Sequence, residues 1–151
     1  MLMTAGWTYF DVDYTASGWV DGSYENNGFV LSTKTSGGGC KWESREAGTV
    51  NLPYLLVEYR SEGSPLLLPV QQDTYVNEAA QGTNYGDVSP VIVSESITGN
   101  TQWTLLDFNL ASLPVNVDIT QATLSLYNEV NLIFAPNAPE ALSIQPVALV
   151  S

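Results

Sequence analysis

The chain has 151 residues, 44% hydrophobic and 13% charged, which is enough for one packed domain and too apolar for a disordered segment. Sixteen acids stand against four cations, and residues 61–151 carry nine acids and no cation, so phosphate backbones and anionic lipid are repelled. There is no His, which removes the commonest general base and metal ligand, and the lone Cys40 cannot close an intrachain disulfide.

Short runs of β-branched and aromatic residues, separated by Gly, Asn and Pro clusters, predict strands throughout. The first covers residues 7–12, with Phe10 and Val12 on one face and Tyr9 and Asp11 on the other. One short helix is expected over Asp13–Gly22, with Asp13 as its N-cap and Gly22 as its stop. Asn26-Asn27-Gly28 supplies the positive-φ residues of a tight turn. Strands at 27–33 and 40–45 follow, joined by the loop Thr35-Ser36-Gly37-Gly38-Gly39, and then a strand at 54–59. Ser61-Glu62-Gly63-Ser64-Pro65 is the best linker candidate, and residues 61–72 are read as the connection between two halves, 1–60 and 73–151.

In the second half, strands are predicted at 91–95, 103–110 and 119–127. The last alternates most cleanly, with Ala122, Leu124 and Leu126 opposite Thr123, Ser125 and Tyr127. A final stretch, 141–150, is interrupted by Pro146, which places it at a sheet edge or bulge. No apolar run approaches the roughly 20 residues needed to span a bilayer. Met1-Leu2-Met3-Thr4 has no basic or apolar signal region, so an export signal would lie outside the sequence.

Several segments resemble a known family in the wrong order. Asp73-Thr74-Tyr75-Val76, Thr83-Asn84-Tyr85-Gly86, Leu105-Leu106-Asp107-Phe108-Asn109-Leu110 and Ile119-Thr120-Gln121-Ala122-Thr123-Leu124 are similar to the opening half of the DNRLRE, or disaggregatase-related, extracellular β-sandwich domains. Tyr9-Phe10-Asp11-Val12, Asn27-Gly28-Phe29, Ser44-Arg45-Glu46 and Pro53-Tyr54-Leu55-Leu56-Val57-Glu58-Tyr59 resemble the closing half, yet come first. The resemblance implies an all-β, jelly-roll-like antiparallel sandwich, secreted or on the cell surface, related to carbohydrate-binding modules and without enzymatic activity. The exchanged order implies closure either within the chain or by strands of a neighbouring copy.

Candidate chemistry is sparse. Arg45 and Glu46 read as a structural ion pair, and Cys40 as a small buried hydrophobe. No cofactor is expected. If a metal binds, calcium is the one suited to the loop oxygens, with Asp73, Asn77, Asn84 and Asp87 as candidates, although Asx-turn roles compete. Trp42, Tyr85 and Trp103 are the candidate sugar-stacking platforms, and Trp42 is favoured because Lys41 and Glu43 flank it beside a glycine loop. Two functions follow. The first is a structural subunit assembling head-to-tail with copies of itself through Phe10, Val12, Leu142, Ile144, Val147 and Leu149. The alternative is a non-catalytic polysaccharide-binding or adhesion module. Nucleic acid and membrane insertion are not expected partners.

Overall fold

A computed structural model describes residues 5–33, 38–48, 50–60, 65–95, 100–128 and 142–147. These residues form strands β1 (Gly6–Asp11), β2 (Phe29–Thr33), β3 (Gly38–Trp42), β4 (Tyr54–Tyr59), β5 (Leu66–Asn77), β6 (Val91–Glu95), β7 (Gln102–Phe108), β8 (Ile119–Asn128) and β9 (Leu142–Pro146), with one helix, α1 (Asp13–Asp21). All pairings among them are antiparallel. The architecture is an all-β sandwich, as the alternating pattern implies.

One layer runs β1-β8-β4 and continues into Leu66–Pro69 of β5. The other runs β9-β2-β7 and continues into Val70–Asn77 of β5. Strand β5 therefore serves both layers, changing partner at an irregularity between Val70 and Gln72. Strands β3 and β6 pair with each other and tie the layers together, β3 meeting β8 at Trp42↔Asn128 and β6 meeting β7 at Ser94↔Gln102.

The core follows from period-2 alternation. Leu55 and Val57 of β4, Leu124 and Leu126 of β8, Phe29 and Leu31 of β2, Leu106 and Phe108 of β7, and Val91 and Val93 of β6 are all buried in one cluster. Each such side chain contributes about 1.5–3 kcal/mol on burial. Trp19 anchors α1 to this cluster through a ring contact with Phe29 at 4.6 Å.

Two local expectations shift. The N-cap of α1 is Val12, which offers no capping side chain, and Asp11 just before it accepts from the Asp13 N–H through Oδ1 at 3.0 Å. The Asp13 carboxylate instead accepts from the Ala122 N–H and ties the helix to β8. Asp13 is helical itself, so its side chain is free to reach across to the sheet. Gly22 does end the helix, at φ 80°. The proposed linker 61–72 is strand from Leu66 onward, because Leu66, Leu68 and Val70 alternate inward against β4 and β7.

The two halves meet within one chain: β1 and β4 of the first flank β8 of the second. The residues expected to bind a neighbouring copy are engaged here. Phe10 pairs with Leu124 and packs edge-on against Trp42 at 6.2 Å, and Val12 is buried. Leu142 and Ile144 pair with Thr33 and Leu31, and Val147 donates to the Gly28 carbonyl at 2.9 Å. Leu149 lies outside the described residues.

Candidate functional site

Strands β5 and β7 carry the site. Antiparallel register sets Val76 opposite Trp103, both at outward positions, so both side chains leave the core. Val76 is 45% and Trp103 49% exposed, so the pair sets two apolar side chains side by side in water. They form one wall of a groove of about 520 Å³, completed by Asn77, Glu78, Ala80, Gln81, Thr83 and Thr101. The segment after β5 makes this shape. A single 3₁₀ turn, Glu78–Ala80, starts where Asn77 Oδ1 accepts from the Ala79 N–H at 2.9 Å. It is pinned to β7 by Glu78 N–H donating to the Thr101 carbonyl at 2.9 Å. The result is an exposed indole rimmed by amides, hydroxyls and one carboxylate.

A second cleft, about 450 Å³, is lined by Asn27, Arg45, Gln72, Asp73, Thr74, Asn84, Asp87 and Asp107 among others. At its edge Arg45 and Glu46 form the expected ion pair, with Nη2 to Oε1 at 3.0 Å and Nε to Oε1 at 3.1 Å. Arg45 also holds β5 directly, since Nη1 donates to the Gln71 carbonyl at 2.8 Å and its backbone N–H to Asp73 Oδ2 at 2.6 Å. Asp73 is 6% exposed. Burial pushes its carboxyl up to about 7; the Arg45 N–H pulls it down, and Glu46 pushes it further up. Burial also opposes ionisation of Glu46, but hydrogen bonds from Asp73 and Arg45 outweigh it and hold Glu46 below its ordinary value. As two carboxylates, Asp73 Oδ1 and Glu46 Oε2 would lack any donor. A single proton on Asp73, donated to Glu46, supplies it.

The candidate residues separate accordingly. Asp73, Asn84 and Asp87 line the second cleft, whereas Asn77 lines the Trp103 groove. Asn77 and Asn84 each accept from a backbone N–H two residues on, Ala79 and Gly86, as Asx turns do. Among the described residues no group of three or more His, Cys, Asp or Glu is arranged to hold a metal ion. Trp42 is corrected outright, because it is 0% exposed and is no platform. Its charged neighbours misled, since alternation sends Lys41 and Glu43 to the face opposite Trp42. Tyr85 stacks on Tyr75 at 4.2 Å and 25°, so one of its faces is already covered. Cys40 is buried, with its thiol pushed up to about 11 by that burial. Of the three proposed platforms Trp103 is the most exposed, and Tyr85 keeps one face uncovered.

The pairing of Glu46 with Asp73 was missed, because 27 positions separate them and no local pattern joins them. The groove partners Val76 and Gln81 were missed as well. Val76 was readable as outward-facing from alternation with the buried Tyr75.

Neither a curated protein nor a solved structure matches the chain. A family model does match, over residues 66–141, just over half of the sequence and including β5, β6, β7 and β8. The chain belongs to carbohydrate-binding module family 96.

Proposed function

We propose that this protein is a non-catalytic polysaccharide-binding module acting outside the cell, and that the groove at Trp103 is where a glycan chain docks. The observation carrying this reading is an indole 49% exposed beside the amide and hydroxyl side chains of Asn77, Gln81, Thr83 and Thr101. A pyranose ring has an apolar face of C–H groups and a polar edge of hydroxyls. The indole suits the first, and the amides, hydroxyls and the Glu78 carboxylate suit the second. Such a site needs neither metal nor titrating base.

The DNRLRE resemblance agrees with this class, and the reading of residues 1–60 and 73–151 as exchanged halves of one module stands beside it. Head-to-tail assembly has less support, because β1 and β9 already pair within the chain. The test is affinity electrophoresis through gels containing soluble xylan, galactomannan, mixed-linkage glucan or alginate. Retardation by at least one polymer is expected, and Trp103→Ala should weaken it about tenfold. Equal retardation of wild type and Trp103→Ala would remove the groove from the binding surface.

A further inference from the structure

The outer face of a sandwich sheet ordinarily alternates to polar residues. The layer β1-β8-β4 does not. Its register brings Trp7 opposite Tyr127, and Tyr9 opposite Ser125, which in turn faces Tyr54. Trp7 meets Tyr54 at 5.1 Å and Tyr127 at 5.4 Å, both edge to face. Tyr9 is 61% exposed, and Leu67 of β5, in line with Leu56, is 54% exposed. In the middle, Ser125 is 1% exposed and its Oγ has no hydrogen-bond partner among the described residues. The exposed Tyr9 and Leu67, beside the half-buried rings of Trp7, Tyr54 and Tyr127, make one continuous apolar patch on the outer face of this layer, and patches of that kind mark binding surfaces.

We infer that this face is a second glycan-binding surface, specific for neutral polysaccharide; the inference rests on the glycan-binding reading above. The charges select the occupant. Strands β1, β4, β5 and β8 contain no Lys or Arg, while Asp11 and Glu58 stand at outward register positions on the face. Carboxylates accept hydrogen bonds from sugar hydroxyls but repel a polyuronate. They also repel a second copy of this chain, which brings the same carboxylates and a net charge of −12. A neutral chain avoids that repulsion, stacks on Tyr9 and the Trp7 cluster, and offers hydroxyls to Asp11 and Glu58. Because Trp103 projects from the other layer, one module then holds two chains, or one chain twice, and gains avidity on long polymers.

The experiment uses the same gels with four proteins: wild type, Tyr9→Ala, Trp103→Ala and the double variant, with Trp7→Ala as a fifth if its circular dichroism is native. Tyr9→Ala removes an exposed ring and leaves the core untouched. The expected result is that Tyr9→Ala weakens neutral-polymer retardation about tenfold on its own, weakens the residual retardation of Trp103→Ala similarly, and leaves alginate mobility unchanged. If Trp103→Ala abolishes all retardation and Tyr9→Ala changes none, the second surface is overturned while the groove stands. If alginate alone retards the wild type, the second surface is overturned while the groove stands, and if no polymer retards it both readings fall. If light scattering shows a dimer that Tyr9→Ala dissolves, the face joins copies of the chain and the inference is overturned.

Discussion

The Trp103 groove and the Asp73 cleft share strands β5 and β7, yet the two are built oppositely. The groove presents side chains that leave the core, and its polar rim is held by the Asn77 turn and by the Glu78–Thr101 backbone hydrogen bond, with no inward-facing carboxylate. The cleft turns a carboxylate inward at 6% exposure and fixes it from another element through the Arg45 N–H. Position along one strand decides the difference. Beyond the Val70/Gln72 irregularity, Asp73 and Tyr75 take the inward phase, while Thr74 and Val76 take the outward one. The cleft is therefore a joint of the fold, and the groove is a surface that the fold can do without.

That contrast can be broken most severely at Gly28. It sits at φ 80°, and a Cβ there would lie 2.2 Å from the carbonyl oxygen of Leu106, a residue lining the cleft. Gly28→Ala should cost roughly 3 kcal/mol or more by denaturant unfolding, from left-handed strain plus a backbone clash. Gly22 shares that φ but has nothing within 4 Å, so Gly22→Ala should cost only about 1 kcal/mol. Equal costs at the two glycines would show that the close approach of β2 to β7 is unimportant.

The next effect is a pH dependence on the cleft side. The folded state holds Asp73 near 7, against 3.8 for an ordinary aspartate. A raised carboxyl is destabilising when ionised, so stability is unimpaired below about pH 4 and falls as pH climbs through 7. Glu46, held low, works the other way and loses its contribution only below its ordinary 4.5. Unfolding free energy should therefore drop by roughly 3 kcal/mol between pH 5 and pH 8. Asp73→Asn, whose amide still donates to Glu46, should flatten that slope. A wild-type curve already flat over this range would mean that the pair is ionised together without penalty.

The smallest stability effect belongs to the groove. Trp103→Ala should shift unfolding by no more than about 0.5 kcal/mol, because half of the residue is in water and its cross-strand neighbour Val76 is itself exposed. A loss of several kcal/mol in chemical denaturation would make Trp103 a packing residue, and the site would have to be sought elsewhere.

Much of this molecule was legible in its residues. Alternation over 54–59, 91–95 and 119–127 marks strands that form at nearly those limits, because a half-buried strand must place apolar groups every second residue. Gly22 and Gly28 announced their positive φ, since few other residues tolerate it. Arg45-Glu46 announced an ion pair. Periodicity assigns a residue to one of two faces, but it cannot say which face another layer will cover. Trp42 was favoured over Trp103 for its charged neighbours, yet the packing of the layers buried Trp42 and left Trp103 in water. The same limit hid Asp73 against Glu46, and Trp7 between Tyr54 and Tyr127, because each contact joins residues far apart in the chain. It also governed how residues 1–60 and 73–151 come together. The sequence determined which segments would be strands and which residues each would bury; only the tertiary structure decided that β8 would take its partners from its own chain. Backbone hydrogen bonding satisfies any adjacent strand equally well, so closure is chosen by which apolar faces meet.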